Sequence, residues 1–437
     1  MNKFKVVGFL LGILIILAVG YYYLILDRVP PKIMLENRKY IGANNKIIKI
    51  SVKDNKSLLK QVGIKISQGK REKTISLKIG ENSSHIDYEL DPKKLGFSDG
   101  EIKLIVWASD KSINNFFQGN VAKIKKTYIL DTSPPNIFMK TYRHYLKIGG
   151  SGVCGFSVSE PIKRAGAEVS KYFFPAYRYK KNYLVFFAIP YDVDPKNLTV
   201  WVVAEDFAGN KKKIPLRCYI KRTKFRHSKI NISDKFLNTK MVQFENKFKG
   251  LSPLEIFLKV NKELRKENRD RLRKIGLNTE KKILFKGAFL RMPNAARMAS
   301  FGDKRSYFYH GKKIDTETHL GVDLASVARD KVIAANFGKV VYAGWYGIYG
   351  NAVIIDHGYG VQSLYGHLSL IRVKKGDFVK KGQVIGLSGA TGLAGGDHLH
   401  FGILISGIPV DPVEWWDPKW MKNNIYYNLK QMEGDNL

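Results

Sequence analysis

At 398–405 the sequence is His-Leu-His-Phe-Gly-Ile-Leu-Ile, and it predicts a β-strand with two different faces. Successive side chains of a strand point to opposite sides, so His398 and His400 share one face. The other face carries Leu399, Phe401, Ile403 and Ile405. The apolar face predicts a strand packed on a core. Two parallel imidazoles can serve one site, in which one holds a metal ion and the other hydrogen-bonds a water or a developing oxyanion. Taken alone, the pair fits two exposed histidines better.

A second histidine stands four positions before a carboxylate in the stretch His319-Leu320-Gly321-Val322-Asp323. In a straight strand the Cα atoms of His319 and Asp323 would lie about 13 Å apart, too far to share one metal ion. We therefore expect the backbone to bend at Gly321. An imidazole nitrogen with a carboxylate oxygen suits Zn²⁺. This spacing alone is weak evidence.

Six of the nine histidines lie between His310 and His400. One of them belongs to Tyr365-Gly366-His367-Leu368-Ser369, which follows an apolar stretch and precedes a glycine-punctuated run at 373–386. Paired glycine turns between short strands predict a hairpin-rich antiparallel core in this part of the chain.

The three motifs together, His-x-x-x-Asp, Tyr-x-His-Leu and His-x-His, resemble in order and spacing the LytM/lysostaphin-type peptidoglycan endopeptidases. The resemblance covers about a third of the chain, from Met292-Pro293 to Asp411-Pro412. It implies an antiparallel β peptidase domain over residues 284–418. It also implies that one Zn²⁺ ion is held by His319, Asp323 and His400, and that the catalytic histidines outside the ligand set are His367 and His398.

Three further residues near these motifs receive no metal role from the resemblance. We expect His357 to be structural or to support the site, and His310 to be incidental. Tyr365 either orients the cleft or packs in the core.

The activity implied by the resemblance is hydrolysis of an amide in the stem peptides or cross-links of bacterial peptidoglycan. Three protein ligands leave a fourth zinc position for a water molecule whose pKa the ion lowers. The sequence has no His-Glu-x-x-His motif, so proton transfer is expected from His367 and His398. The alternative is a non-enzymatic cell-envelope scaffold or an activator of another wall hydrolase, and the intact ligand set weighs against it.

Two repeats of β-strand character occupy residues 28–131 and 132–223. Residues 26–33 (Leu-Asp-Arg-Val-Pro-Pro-Lys-Ile) recur at 130–137 as Leu-Asp-Thr-Ser-Pro-Pro-Asn-Ile, and later Ala108-Ser109-Asp110 recurs as Ala204-Glu205-Asp206. Short β-branched and aromatic runs broken by turn residues predict antiparallel sandwiches. Both repeats resemble bacterial immunoglobulin-like modules, in which an Ala-x-Asp strand end and a Gly-Asn turn are common.

Between these repeats and the peptidase region, residues 224–283 predict a partly helical connector. Apolar residues recur there at helical spacing, and Ser252 followed by Pro253 and Glu255 predicts a helix start. The connector either packs as an amphipathic helix on its neighbours or covers the active site until released. Residues 419–437 are expected to form a C-terminal tail.

The first 27 residues predict a membrane anchor. Val6–Leu26 is an uncharged apolar run of spanning length, preceded by Lys3 and Lys5. We expect a single-pass protein of the bacterial cytoplasmic membrane, with a cytoplasmic N-terminus and an extracytoplasmic or periplasmic catalytic domain. The alternative is a signal peptide cleaved after the small residues at 18–20.

The chain is strongly basic, with 74 Lys and Arg against 38 Asp and Glu and a net charge of +36. Such a charge favours anionic partners. No zinc-finger, helix-turn-helix or RNA-binding motif accompanies it, so no nucleic acid is expected. Peptidoglycan, the membrane surface and anionic envelope polymers are the expected partners.

The two cysteines, Cys154 and Cys218, both lie in the second β-repeat. They either form a disulfide or are two buried small apolar residues.

Overall fold

The structure is a computed structural model that describes residues 3–114 and 118–433. It groups the chain into two compact units. The N-terminal unit comprises Met1–Pro134 and Glu205–Lys211, and the C-terminal unit comprises Pro135–Ala204 and Lys212–Leu437. The chain is mainly β, which confirms the predicted class. The finer division into six segments stays a prediction.

The N-terminal apolar stretch forms a helix, α1 (Lys3–Ile25). Within the described residues, no helix meets the length and apolarity needed to cross a membrane. The prediction of a single-pass membrane protein anchored over Val6–Leu26 is therefore wrong.

The N-terminal unit is built from two sheets. Its strands are β1 (Lys32–Leu35), β2 (Tyr40–Ile41), β3 (Ile48–Lys53), β4 (Leu59–Gln68), β5 (Arg71–Ser76), β6 (His85–Leu90), β7 (Gly100–Asp110) and β8 (Val121–Leu130). One sheet has the order β1-β3-β6 and the other β2-β8-β7-β4-β5. In β3, Ile48, Ile50 and Val52 are buried while Lys49 and Lys53 are exposed. This alternation directs apolar side chains of both sheets into one core. That the unit is immunoglobulin-like stays a prediction.

The second β-repeat has two four-stranded sheets and one separate pair of strands. Its strands are β9 (Ile137–Met139), β10 (Tyr145–Lys147), β11 (Ser151–Val158), β12 (Ile162–Val169), β13 (Tyr172–Pro175), β14 (Tyr177–Tyr179), β15 (Asn182–Ala188), β16 (Val200–Asp206), β17 (Lys211–Pro215) and β18 (Tyr219–Lys221). The sheet orders are β14-β15-β11-β9 and β13-β12-β16-β17, and β10 pairs with β18 in parallel. Cys154 and Cys218 are free thiols, and burial raises the pKa of both, which keeps them unreactive.

The connector is only partly helical, as its sequence predicts. It comprises β19 (His227–Ile232), α2 (Asp234–Lys240), a 3₁₀ turn (Met241–Phe244), α3 (Pro253–Lys259), a π-helical turn (Val260–Leu264) and α4 (Arg265–Leu277). Helix α3 starts at the predicted position, where Ser252 and Glu255 form a reciprocal capping box. Strand β19 was not predicted from the sequence.

The peptidase region is built around one large sheet. Its strands are β20 (Ala296–Ala299), β21 (Asp303–Tyr309), β22 (Lys312–His319), β23 (Val322–Ala325), β24 (Lys331–Ile333), β25 (Gly338–Trp345), β26 (Asn351–Asp356), β27 (Val361–Gly366), β28 (Leu370–Ile371), β29 (Phe378–Val379), β30 (Val384–Leu387), β31 (Leu399–Ile405) and β32 (Ile408–Val410). The large sheet has the order β20-β23-β31-β27-β26-β25-β29, with β32 paired to β31. Two smaller sheets have the orders β19-β21-β22 and β24-β30-β28. The connector strand β19 therefore extends a sheet of the peptidase region.

Strand β31 is buried on both faces. Phe401 and Ile403 belong to one apolar core, as predicted. Leu404, on the histidine-bearing face, belongs to a second core that includes Phe257 and Leu272 of the connector helices. The chemical face of β31 is thus confined to the end near His400, because the connector covers the rest.

The segment 412–433, which follows β32, is helical and packed, and the C-terminal tail over 419–437 stays a prediction. It contains α5 (Pro412–Trp416), α6 (Pro418–Trp420), a π-helical turn (Met421–Tyr426) and α7 (Tyr427–Glu433). Met432 packs so closely on β11 that a Cβ at Gly155 would lie 1.8 Å from its sulfur. The buried Glu414 accepts a hydrogen bond from the Ser151 backbone at 3.3 Å and lies 3.6 Å from Lys147 Nζ. These contacts tie the segment to the second β-repeat.

Glu414 is expected to make the C-terminal unit less stable as the pH rises. Burial raises the pKa of Glu414 from 4.5 to about 7, against the attraction of Lys147. The stabilising contribution of the protonated carboxyl is present below the unfolded pKa and is lost as the pH rises through about 7. Glu414→Gln has an uncharged side chain at every pH. At pH 8 the free energy of unfolding of this variant should therefore be higher than that of the native protein by up to about 3 kcal/mol, and at pH 5 the difference should be much smaller.

Denaturant unfolding of both proteins at the two pH values measures this difference. The matched control is Glu263→Gln, whose carboxylate is 55% exposed and should show the native pH dependence. Equal pH dependence of Glu414→Gln and the native protein would contradict the expectation.

Candidate active site

Three neighbouring strands of the large sheet bring the predicted site residues together. β31 lies between β23 and β27. His400 of β31 lies opposite Asp323 of β23 on one side and opposite Gly366 of β27 on the other. His367 follows Gly366 directly, and His398 immediately precedes β31. Strand register therefore places four of the five predicted residues side by side.

Three donor atoms from the predicted ligands converge on one point. Nε2 of His319 lies 2.9 Å from Oδ1 of Asp323 and 3.0 Å from Nδ1 of His400. Nδ1 of His400 lies 3.0 Å from the same oxygen. Zn²⁺ binds nitrogen and oxygen donors at about 2.0–2.2 Å, so atoms this close can share one ion. The residues present fit zinc, and their roles as ligands stay a proposal.

The bend predicted at Gly321 lies where the chain leaves one sheet for another. β22 ends at His319 in the β19-β21-β22 sheet, and β23 starts at Val322 in the large sheet. The glycine is required for space, because a Cβ at this position would lie 2.4 Å from Nε2 of His400. A larger residue there would displace the His400 ring.

The Asp323 carboxylate is shared between Arg305 and the two histidines. Nη2 of Arg305 donates to Oδ2 at 3.1 Å, which leaves Oδ1 facing His319 and His400. Burial by itself would raise the pKa of Asp323, but His319 and His400 hold that pKa well below its ordinary value. The carboxylate is therefore ionised at neutral pH, as a metal ligand must be.

The imidazoles of His319 and His400 present different nitrogens to the cluster. Nδ1 of His319 donates to the Ser300 carbonyl at 3.2 Å, so its Nε2 carries the free lone pair. In His400 it is Nδ1 that faces the cluster, and the buried Nε2 has no hydrogen-bond partner among the described residues. Burial lowers the pKa of His400 to about 4. Its neutral ring can therefore donate a lone pair to a metal ion.

His367 and His398 form a second pair beside the cluster, with ring centroids 4.8 Å apart. Nδ1 of His367 donates to the Thr391 carbonyl at 2.8 Å, and Nδ1 of His398 donates to the Gly396 carbonyl at 2.9 Å. A carbonyl oxygen only accepts, so Nε2 of each ring is left as a proton acceptor. Nε2 of His398 lies 3.6 Å from Oδ1 of Asp323. Both rings are thus oriented by backbone groups toward the cluster of His319, Asp323 and His400.

His367 has a backbone conformation that non-glycine residues rarely adopt. Its φ is +65°, in the left-handed region, which costs a residue with a Cβ about 1–2 kcal/mol. Its N–H donates to the Tyr349 carbonyl at 2.7 Å, which holds the strained turn. Burial, with further contributions from His398 and His400, lowers the pKa of His367 well below its ordinary value. The ring is therefore neutral at physiological pH.

All five predicted residues line one cleft of about 540 Å³. The connector supplies part of its wall through Ile232, Phe236 and Phe257, and Met298 of β20 adds another apolar side chain. The connector helices therefore pack on their neighbours, which is the first of the two predicted alternatives. Some connector side chains also form part of the cleft wall.

The three secondary candidates lie outside this cleft. His357 is fully buried, and burial lowers its pKa to about 4. Its Nδ1 donates to the Phe337 carbonyl at 2.7 Å, and its Nε2 lies 2.7 Å from the Ser363 hydroxyl. The Tyr365 hydroxyl accepts from the Ala335 N–H at 2.7 Å in the core. His310 is exposed.

Sequence reasoning missed Arg305 and the apolar wall of the cleft. Arg305 lies on β21, far from the histidine motifs in the chain, and only the pairing of β21 with β22 brings it near Asp323. Residues of β19 reach the cleft because that strand pairs with β21 in parallel. No local sequence signal marks either contact.

The sequence of this region matches a known family. Residues 317–412 fit the model described as Peptidase family M23, and this range includes all five residues of the cleft's histidine and aspartate cluster. This segment is an M23 peptidase domain. The prediction of a LytM-type domain at the C-terminal end of the chain is thereby confirmed.

Curated relatives match the M23 domain but little else. The DD-carboxypeptidase/endopeptidase Mpg of Neisseria meningitidis serogroup B is 44% identical over 95 residues, which are 22% of this chain and 22% of that protein. The peptidoglycan DD-endopeptidase ShyB of Vibrio cholerae serotype O1 is 37% identical over 116 residues, 26% of each chain. The chain thus spans about a quarter of the length of these relatives.

Among solved structures, the catalytic domain of the antimicrobial peptidase lysostaphin from Staphylococcus simulans is 34% identical to this chain. The alignment covers 28% of this chain and 92% of that one, with a TM-score of 0.24.

Proposed function

We propose that the M23 domain is a zinc-dependent endopeptidase that hydrolyses peptide bonds of bacterial peptidoglycan. The observation that carries the proposal is the convergence of His319 Nε2, Asp323 Oδ1 and His400 Nδ1 within 3.0 Å of one another. Two further histidines with free Nε2 atoms stand beside this cluster in the same cleft.

His319, Asp323 and His400 would hold the Zn²⁺ ion. Bound there, zinc would polarise the scissile carbonyl and lower the pKa of the attacking water. Arg305 keeps the Asp323 carboxylate in one orientation through its bond to Oδ2. The Ser300 carbonyl keeps Nε2 of His319 directed at the ion site.

Proton transfer falls to His367 and His398. Asp323 is the one carboxylate among the described residues that line the cleft, and its oxygens are already engaged by Arg305 and the ligand histidines. A neutral imidazole with a free Nε2 can take a proton from the attacking water. Once protonated, the same nitrogen can donate to the oxyanion or to the leaving amine.

The proposed bond is the amide of a directly cross-linked stem peptide. The names of the relatives Mpg and ShyB, which include DD-endopeptidase activity, support this class. The apolar wall formed by Ile232, Phe236 and Phe257 suits alkyl parts of a peptide better than a strongly charged one. The net charge of +36 supports attraction to anionic wall polymers.

The test is digestion of cross-linked peptidoglycan by the full chain, with products identified by mass spectrometry. We expect cross-linked muropeptide dimers to disappear and monomers to accumulate, each cleavage consuming one water. A chelator should stop the reaction and added Zn²⁺ should restore it.

A second substrate, a wall cross-linked through glycine bridges, separates the two bond classes. Cleavage within the glycine bridge alone would replace the proposed bond while keeping the peptidase. Failure to release any product from either wall by the zinc-loaded protein would overturn the enzymatic proposal in favour of a scaffold or activator.

A further inference from the structure

A second group of acidic residues lies in the N-terminal unit, which does not contain the cleft. Asp27, Asp54 and Asp110 are 7%, 4% and 0% exposed, and each places a carboxylate oxygen within 4.8 Å of the other two. Like charges buried this close repel one another, so the cluster requires protons or a bound cation.

The carboxylates of Asp27 and Asp110 accept hydrogen bonds from neighbouring residues. Oδ2 of Asp27 accepts from the Ser57 hydroxyl at 2.5 Å. Both oxygens of Asp110 accept from Asn120, Oδ1 from its backbone N–H and Oδ2 from its side-chain amide, each at 2.8 Å. Both oxygens of Asp110 therefore act as hydrogen-bond acceptors, which is the role of an ionised carboxylate.

Asp54 is the member with an unused oxygen. Its Oδ1 accepts from the backbone N–H groups of Lys56 and Ser57 at 2.9 and 2.7 Å. Its Oδ2 is fully buried and has no hydrogen-bond partner among the described residues. A buried carboxylate oxygen without a donor destabilises the folded chain, and a bound cation would remove that cost. The structure records no ion pair to these three carboxylates within its described part.

The second repeat has counterparts of Asn120, Asp27 and Asp110, and comparison with them shows what Asp54 adds to the cluster. There Asn210 donates from its amide to the Asp131 carbonyl and to Oδ2 of Asp206, both at 2.9 Å. Asn120 makes the same bonds to the Asp27 carbonyl, at 2.9 Å, and to Asp110. An asparagine that bonds both a backbone carbonyl and an aspartate is thus a structural element of both repeats. Within the described residues, only the first repeat completes a three-carboxylate cluster around it.

We propose that Asp27, Asp54 and Asp110 bind a Ca²⁺ ion. An all-oxygen set built from carboxylates suits a hard cation, and Ca²⁺ accepts the irregular geometry of three loop-end carboxylates completed by hydroxyl or water oxygens. Asp27 precedes β1, Asp54 follows β3 and Asp110 ends β7. The ion fastens the chain entering the unit to the ends of strands from both of its sheets.

Calorimetric titration of the metal-free full chain with Ca²⁺ tests the site. The titration uses a His319→Ala background, so that the cleft contributes no metal binding of its own. We expect one equivalent of Ca²⁺, with affinity reduced at least tenfold by Asp54→Asn. The matched control is Asp87→Asn in the same unit, whose side chain is 70% exposed and should leave binding unchanged. No binding at millimolar Ca²⁺, or equal binding by Asp54→Asn, overturns the proposal.

Thermal unfolding provides a second measurement that does not depend on how the variant folds. Ca²⁺ should raise the Tm of the native chain by several degrees, and a chelator should reverse the rise. Asp54→Asn removes a repelling charge, so its metal-free Tm should equal or exceed the native value and should not respond to Ca²⁺. A native Tm that does not respond to Ca²⁺ overturns the proposal.

Discussion

Replacing His319 by alanine is expected to abolish zinc binding and to lower peptidoglycan hydrolysis by about 10³-fold or more. His319 supplies one of three converging donors, and the two left, Asp323 Oδ1 and His400 Nδ1, would hold an ion weakly. Loss of a Lewis acid worth several kcal/mol of transition-state stabilisation corresponds to this loss of rate. Metal content by mass spectrometry and the rate of dimer cleavage measure the two effects.

His310→Ala is the matched control, because His310 is 69% exposed and outside the cleft. It should keep one equivalent of zinc and the native rate. Because His319 is buried, circular dichroism must show that His319→Ala is folded. A folded His319→Ala protein that retains a full equivalent of zinc and its activity would remove the proposed ligand set.

Replacing His367 by asparagine is expected to lower the cleavage rate by about 10²–10⁴-fold while leaving zinc content unchanged. The range is that of a lost general acid or base. Asparagine tolerates the left-handed backbone at this position, where φ is +65°, better than alanine does. The variant therefore removes the imidazole with little added strain, and kcat should fall without loss of the metal site.

His398→Ala tests the partner histidine in the same assay. If both histidines act on one proton path, the double variant should be little worse than either single one, because groups acting as a unit are not additive. Loss of zinc from folded His367→Asn would instead make His367 a ligand and would contradict its proposed role. An unchanged rate in both single variants would exclude the pair from proton transfer.

The sequence predicts the site better than the domain that carries it. The strand after His398 and the glycine bend between His319 and Asp323 are local features, and both are present in the structure, although the strand is buried on both faces. The family resemblance supplied the grouping of these motifs with His367. The metal and catalytic roles of the five residues stay predictions until the variants are measured.

Contacts made by distant parts of the chain could not be predicted in the same way. Arg305 reaches Asp323 through strand pairing, and Phe236 of the connector reaches the cleft through a parallel strand that its sequence does not mark. At the N-terminus, the uncharged apolar run Val6–Leu26 led to the wrong prediction of a membrane span. A run of apolar residues indicates a helix more securely than it indicates the surroundings of that helix.

The core shared by the connector helices and the large sheet determines where the chain can be shortened. Ile354, Leu364 and Leu404 of the sheet are buried against Phe257 and Leu264 of the connector. A fragment starting at residue 284 would expose those three side chains to water, each at a cost of about 1.5–3 kcal/mol. The exposed apolar patch would also favour aggregation. A folded, soluble peptidase fragment therefore has to begin before His227, so that it retains β19 and the helices after it.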